Sequence, residues 1–342
     1  MSSFLAGLDD ESLAGLLQRS SAGREGFGGR TTQLAVGEVR VFCKLIPLTI
    51  LEAQPKNYKS TANLFQLPSY YQYGIGSVGF GAWRELAAHA LASDWVASGK
   101  QEQFPLMHHW RIVQLPGVAS VESEADEYLT HAAAQGNDES AIRERIVSLR
   151  ATTSYIAIFS EHFPQTLSEW LVEQLQISIP SAGAAISFTE EKAREAFDFM
   201  RSTNFIHFDA HLSNILTDGV RLYFADFGLA LHDSFDLTQD ERSFLTSHTE
   251  YDTSRFASSM VHKICRAIPG DEGWSQKLAN LDLHAKTLPP AASAALQKYA
   301  AAAKYMGQFA RTLINTNRYA RFAPPSEAIL STMKDTSAAV AR

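Results

Sequence analysis

The sequence predicts an α+β fold in two parts, a β-rich first half followed by a mainly helical second half. Three observations predict it. Thr31 to Pro47 alternates around a Gly37-Glu38 turn, and His109 to Leu115 and Ser154 to Phe159 are further short runs of strand-forming residues. From Thr189 onward apolar residues recur three and four apart, the spacing of a helix face. At roughly 150 residues per domain, a chain of 342 residues has room for two units. The change of character near Ser160 to Gln165 divides it into residues 1–160 and 161–342.

Composition narrows the class before any motif is read. With 45% hydrophobic and 20% charged residues the chain is an ordinary globular protein, neither a tail nor a low-complexity scaffold. Thirty Lys and Arg against 37 Asp and Glu leave a net charge of −7, so nucleic acid is not an expected partner. Cys43 and Cys265 cannot form a disulfide framework, which makes the cytoplasm the expected location. No run of about 18 apolar residues occurs, so no membrane span is expected. The first twenty residues do not follow the signal-peptide pattern.

The elements follow in order. Leu5, Leu8, Leu13, Leu16 and Leu17 have helical spacing, with Asp9 placed to cap the second part. The hairpin of Thr31 to Pro47 carries Lys44 near the end of its second strand. Pro47 to Ser69 has no steady period and reads as an irregular insert, and Trp83 to Val96 reads as a helix stopped by Gly99. Glu122 to Arg150 is charged and predicts an exposed helix, with Glu122, Glu124, Asp126 and Glu127 as a solvated face. Thr189 to Ser202, capped by Thr189, then Ser254 to Ala267, Ala291 to Asn315 and a short tail helix complete the helical half.

The chemistry is concentrated in one segment. Asn204 to Leu216 reads NFIHFDAHLSNIL, and Tyr223 to Gly228 reads YFADFG. Together they give H-x-D-x-x-x-x-N and D-F-G, at His207, Asp209, Asn214 and Asp226 to Gly228. At about one in twenty per letter, six fixed letters arise by chance on the order of once in tens of millions of starting points. The pattern resembles the catalytic and metal-binding loops of the protein-kinase-like superfamily, which includes protein kinases and aminoglycoside and choline kinases.

That resemblance implies a bilobal protein-kinase-like fold, with a β-rich N-lobe and a mainly helical C-lobe, acting on ATP with Mg²⁺. Asp209 would orient an acceptor hydroxyl and take its proton. Asn214 and Asp226 would hold Mg²⁺, a hard ion suited to oxygen ligands that leaves room for ATP phosphates. Phe227 would pack between the lobes and His207 would brace the loop. Lys44 stands where the family has its strand lysine and would reach the ATP phosphates, paired with Glu85 or with its rival Glu52. Ile158 to Pro164 resembles the inter-lobe hinge, with Ser160 in the gatekeeper place and backbone groups of Glu161 and Phe163 on the adenine edge.

Two glycine-rich stretches compete to cover the phosphates. Gly23 to Gly29, with Gly26, Gly28 and Gly29, lies where the family has its covering loop, without the full G-x-G-x-x-G pattern. Gly74 to Gly79 fits that pattern but follows Lys44. A Rossmann unit opening at Gly74, and zinc held by His207 and His211, are the competing readings of these letters.

Departures from the protein-kinase pattern bear on the acceptor. Phe208 replaces the arginine that in many protein kinases pairs with a phosphorylated loop. His211 matches the histidine that aminoglycoside-type enzymes often carry two residues past the catalytic aspartate, and neither A-P-E nor D-x-W-S-x-G follows. The run Asp226 to Ala230, in contrast, is closer to protein kinases. A kinase acting on a small-molecule hydroxyl is favoured over one acting on protein Ser or Thr. A nucleotide-binding pseudokinase or interaction module is the alternative from another class. Asp233, Asp236, Asp240 and Glu241 would either draw a cationic substrate or form a solvated loop.

Overall fold

The computed structural model describes residues 1–26, 29–75, 77, 79–115, 140–280, 283, 288–327 and 330–331. The chain is mixed α+β and divides into two compact units: Met1–His162 with Phe227–Phe244, and Phe163–Asp226 with Leu245–Arg342. Among the described residues, no helix is long and apolar enough to cross a membrane.

The first unit is organised by an antiparallel five-stranded sheet in the order β1-β2-β3-β5-β4. Its strands are β1 (Ser21–Gly26), β2 (Gly29–Val36), β3 (Val39–Pro47), β4 (Met107–Gln114) and β5 (Ser154–Glu161). Gly37 takes a φ of 62°, which the tight turn between Val36 and Val39 requires and glycine supplies without strain. Alternation along β3 sends Val41, Cys43 and Leu45 to one face, where they pack with Leu5, Leu13 and Leu17. These leucines come from α1 (Ser2–Gly7) and α2 (Asp10–Arg19). Asp9 caps α2 by accepting from the Ser12 amide at 2.7 Å.

The opposite face of β3 carries Ile46, which packs with Ala82, Trp83 and Leu86 of α3 (Ala82–Ala97). By the same alternation Lys44 points to this face. Among the described residues, the insert before α3 forms two short 3-10 segments, Pro55–Asn57 and Ser69–Tyr73. Of the charged stretch expected as an exposed helix, residues 116–139, including the four acidic residues, lie outside the described residues. The described part, α4 (Ser140–Arg150), is not exposed all round. It buries Ile142, Arg145, Ile146 and Leu149, because these positions share one helix face.

The second unit begins with β6 (Gln165–Thr166), which joins β8 (Ile215–Thr217) and β9 (Leu222–Phe224) in a small antiparallel sheet. The helix α5 (Leu167–Ile177) opens on a capping box made by Thr166 and Glu169. The next helix, α6 (Ile179–Ser202), starts ten residues before the Thr189 expected to cap it. Its cap is Ser178, whose hydroxyl accepts from the Ser181 amide at 3.1 Å, while Thr189 is fully buried inside the helix. The run ISIPSAGAA lacks a clear apolar period, which hid that first half.

Beyond β7 (Phe205–Ile206) the chain enters the motif, then passes through β10 (Leu231–His232) in the first unit and α7 (Gln239–Ser247), whose residues up to Phe244 belong to that unit. It returns to the second unit with α8 (Tyr251–Ala267), α9 (Trp274–Ala279) and α10 (Pro290–Asn315). The expected tail helix falls almost wholly outside the described residues.

Candidate functional site

The predicted residues fall into two groups, one in each unit. In the first, Lys44 Nζ lies 2.6 Å from Glu85 Oε1, and both side chains are less than a tenth exposed. Lys44 reaches it because β3 turns that side chain toward α3, and Glu85 lies in the first turn of α3. The rival Glu52 has a different task. Its Oε1 accepts from the Ala82 amide at 2.7 Å, which caps α3, and its Oε2 accepts from the amide and hydroxyl of Thr49. Arg145 lies 3.4 Å from the same carboxylate, buried to 2% on both sides.

The other flank of α3 is tied in the same way. Arg84 Nη1 donates to Glu241 Oε1 at 2.9 Å, and Arg84 Nε donates to the Thr61 carbonyl at 2.9 Å. Burial pulls the Arg84 pKa down, and the Glu241 carboxylate opposes that pull. Glu241 also accepts from the Thr238 amide at 3.0 Å and so caps α7. The segment that carries Glu241 is fastened to the insert at further points. The Asp236 amide donates to Thr61 Oγ1 at 2.8 Å, Gln72 Nε2 donates to the Leu229 carbonyl, and Ser69 donates to Asp240. The stretch from Gly74 to Gly79 belongs to this contact: a Cβ on Gly79 would meet the Gly228 carbonyl at 3.3 Å. Residues 76 and 78 of it lie outside the described residues, and the sheet of this unit is antiparallel, unlike that of a Rossmann unit. Phe227 packs edge-on against His89 at 4.8 Å and near Phe104, all within the first unit.

In the second unit the motif loop is held by its backbone. Asp252, on α8, accepts from the amides of His207 at 2.7 Å and Phe208 at 2.8 Å. Those bonds hold Phe208 at a φ of 63°, a left-handed conformation that a bulky residue adopts only when its surroundings impose it. The Phe208 ring is buried against Tyr251 and His248. His207 Nδ1 accepts from the Asp209 amide, which leaves Nε2 as the donor to the Ala225 carbonyl at 2.9 Å. Asp226, which follows, has a φ of 67°.

Asn214 Nδ2 donates to Asp209 Oδ2 at 2.8 Å and to the Asp209 carbonyl at 3.2 Å. Its amide nitrogen is thereby committed, and the amide oxygen faces away from those bonds with no donor among the described residues. The Asn214 amide oxygen and the Asp226 carboxylate are hard oxygen donors, of the kind that Mg²⁺ takes. No cluster of three or more His, Cys, Asp or Glu that could hold a metal alone occurs among the described residues. The zinc reading of His207 and His211 also fails on geometry, because both nitrogens of His207 are engaged with the backbone.

His211 Nε2 lies 3.5 Å from Asp209 Oδ1, and Arg255 Nη2 lies 3.4 Å from the same atom. Burial pulls the His211 pKa below its ordinary value, against the pull of Asp209, with Arg255 and Lys263 lowering it further.

The expected hinge is split between the units, with Glu161 ending β5 and Phe163 opening the second unit. The Glu161 amide donates to the Leu106 carbonyl at 3.0 Å and so is not available to an adenine edge. Phe163 stacks on Tyr223 with centroids 3.7 Å apart. Of the first glycine-rich stretch, Gly26 and Gly29 face each other across β1 and β2, and Gly28 lies outside the described residues. Gly29 has its own structural cause: at a φ of 115°, a Cβ there would lie 2.1 Å from the Leu45 carbonyl.

Asp252 and Arg255 escaped the sequence reading. Asp252 is fully engaged by backbone amides 44 and 45 residues away, a partnership that no local pattern announces. No protein-family model matches the chain, and comparison with curated proteins also gives no match.

Proposed function

We propose that the chain is a Mg²⁺- and ATP-dependent phosphotransferase of the protein-kinase-like type, bilobal in architecture, acting on a hydroxyl acceptor. The observation that carries this reading is the buried Lys44–Glu85 pair at 2.6 Å. It lies outside the motif and unites two residues far apart in sequence, as phosphoryl transfer of this type requires. The Asp209, Asn214 and Asp226 set supports it independently.

In the proposed reaction the acceptor oxygen bonds to the γ-phosphorus as the bond to the β–γ bridging oxygen breaks. ADP leaves with that electron pair, and the hydroxyl proton passes to Asp209. Asn214 fixes the Asp209 carboxylate so that Oδ1 stays directed at the acceptor. Mg²⁺, held by Asn214 and Asp226, would neutralise charge on the phosphates. A small-molecule acceptor is favoured because Phe208 is an apolar core residue, which leaves no cation at that position to order a phosphorylated loop.

The test is purified protein with Mg²⁺ and ATP, read by ADP release and intact mass together, with Asp209→Asn as control. ADP without added protein mass, absent in the variant, is expected. Undiminished ADP release by Asp209→Asn would sink the assignment of the base.

A further inference from the structure

One face of α8 runs along the motif loop. Asp252 holds residues 207 and 208, Arg255 meets Asp209 at 3.4 Å, and Ser259 Oγ accepts from the Leu212 amide at 3.1 Å. Residues 255, 259 and 263 recur every four positions, so Lys263 continues the same stripe one turn beyond Ser259. Its charge is close enough to His211 to lower that pKa, as is the charge of Arg255. Arg266 follows one turn later and repels Lys263.

These cations are not consumed by the fold. Arg255 is a third exposed and makes one long contact to Asp209, and its other guanidinium donors have no partner among the described residues. Lys263 makes no hydrogen bond or ion pair there; Glu169 is the carboxylate nearest in effect. The carboxylates facing the group are Asp209, Asp226 and Glu169. Phosphoryl transfer already assigns the first two. Of the four acidic residues that would draw a cationic substrate, Glu241 is buried against Arg84 and Asp240 accepts from Ser69.

We infer that the acceptor is a hydroxyl compound bearing an anionic group, a carboxylate or a phosphate ester, gripped by Arg255 and Lys263 beside Asp209. A guanidinium suits the planar or tetrahedral anion and the ammonium adds a point charge, so the hydroxyl is presented to Asp209 by its own anionic neighbour. The inference rests on the phosphotransferase reading for the hydroxyl, but not for the anion.

The experiment therefore has two arms on the full chain. In the first, inorganic phosphate is titrated while the Arg255 Nε–Hε resonance is followed by NMR, assigned with Arg255→Lys. A saturable shift, weakened about 10- to 100-fold in affinity by Lys263→Gln, is expected; no shift up to high millimolar phosphate overturns the site. In the second arm, ADP release is compared for gluconate against glucose and for glucose 6-phosphate against glucose. Preference for either anionic member, lost in Lys263→Gln, supports the inference and tells carboxylate from phosphate ester. Preference for the neutral sugar, or stimulation by no anionic member, overturns it as a statement about the acceptor. A phosphate shift with no nucleotide turnover would instead keep the anion site and remove the phosphotransferase reading.

Discussion

The two units hold their candidate site residues by different means. In the first, α3 is flanked by buried ion pairs between residues distant in sequence, Glu52 with Arg145 and Arg84 with Glu241. In the second, the Asp252 carboxylate of α8 and the His207 imidazole of the motif hold the loop through backbone amides and a carbonyl. Buried charge pairs are costly to form and more costly to break singly, whereas backbone hydrogen bonds contribute modestly and fix geometry. The first unit therefore positions Glu85 with interactions whose loss should cost mainly stability, and the second positions Asp209 with interactions whose loss should disturb mainly the loop.

The largest expected effect tests the second half of that contrast. Asp209→Asn should lower turnover by about 10²- to 10⁴-fold with an unchanged thermal midpoint, because the side chain is partly exposed; a clear loss of stability would break the distinction. On the first unit, Glu52→Ala should cost about 3–5 kcal/mol in urea unfolding, since it strands Arg145 and uncaps α3 together. A loss under about 1 kcal/mol would mean that water replaces the carboxylate. Arg84→Met should destabilise by a similar amount and Arg84→Met/Glu241→Gln by clearly less, because the double variant leaves no unpaired charge. Equal losses in the two would show that packing, not charge, ties Arg84.

A smaller effect is expected from Asp252→Asn, about 1–3 kcal/mol, as the new amide group turns a donor toward an amide of the loop. Its turnover should fall more than its stability; the reverse order would erase the contrast between the units.

The smallest effect is a pH dependence. Burial pushes the His262 imidazole down to about 4, where its ring packs tilted against Trp274. A depressed folded pKa means that the unfolded chain takes up the proton first. Stability is thus full above about pH 6.5 and declines as pH falls toward 4. Because the ring is partly exposed, the loss should be on the order of 1 kcal/mol. His262→Phe should flatten that part of the pH–stability curve while keeping the ring contact; an unaltered slope would assign it to other groups.

What the sequence made legible follows the same division. Asp209, Asn214 and Asp226 stand out in the sequence because the proposed phosphoryl transfer would tie residue type to spacing within a short loop. Lys44 stands out only through the resemblance carried by the downstream motif, since a strand lysine by itself reads as a solvent-facing residue. Asp252 and Arg255 do not stand out, because their roles depend on the path of α8 past the loop, which no local period encodes. Glu52 was a rival partner for Lys44 by type alone; only the approach of Arg145 and the N-terminus of α3 separates the two carboxylates. Thr189 was misplaced as a cap because a good capping residue can be buried in mid-helix when the preceding turn lacks an apolar stripe.

The chain passes from the first unit to the second at His162, back at Phe227 and out again at Leu245. Neither unit is therefore a continuous stretch of gene. A truncation after His162 would make a fragment with Arg84 but no Glu241, and with His89 but no Phe227. Recombination between relatives at that boundary would exchange the two sides of a buried ion pair separately. A transplantable version of the first unit would need residues 227–244 rejoined by a linker, and the D-F-G motif would be cut between its first and second letters.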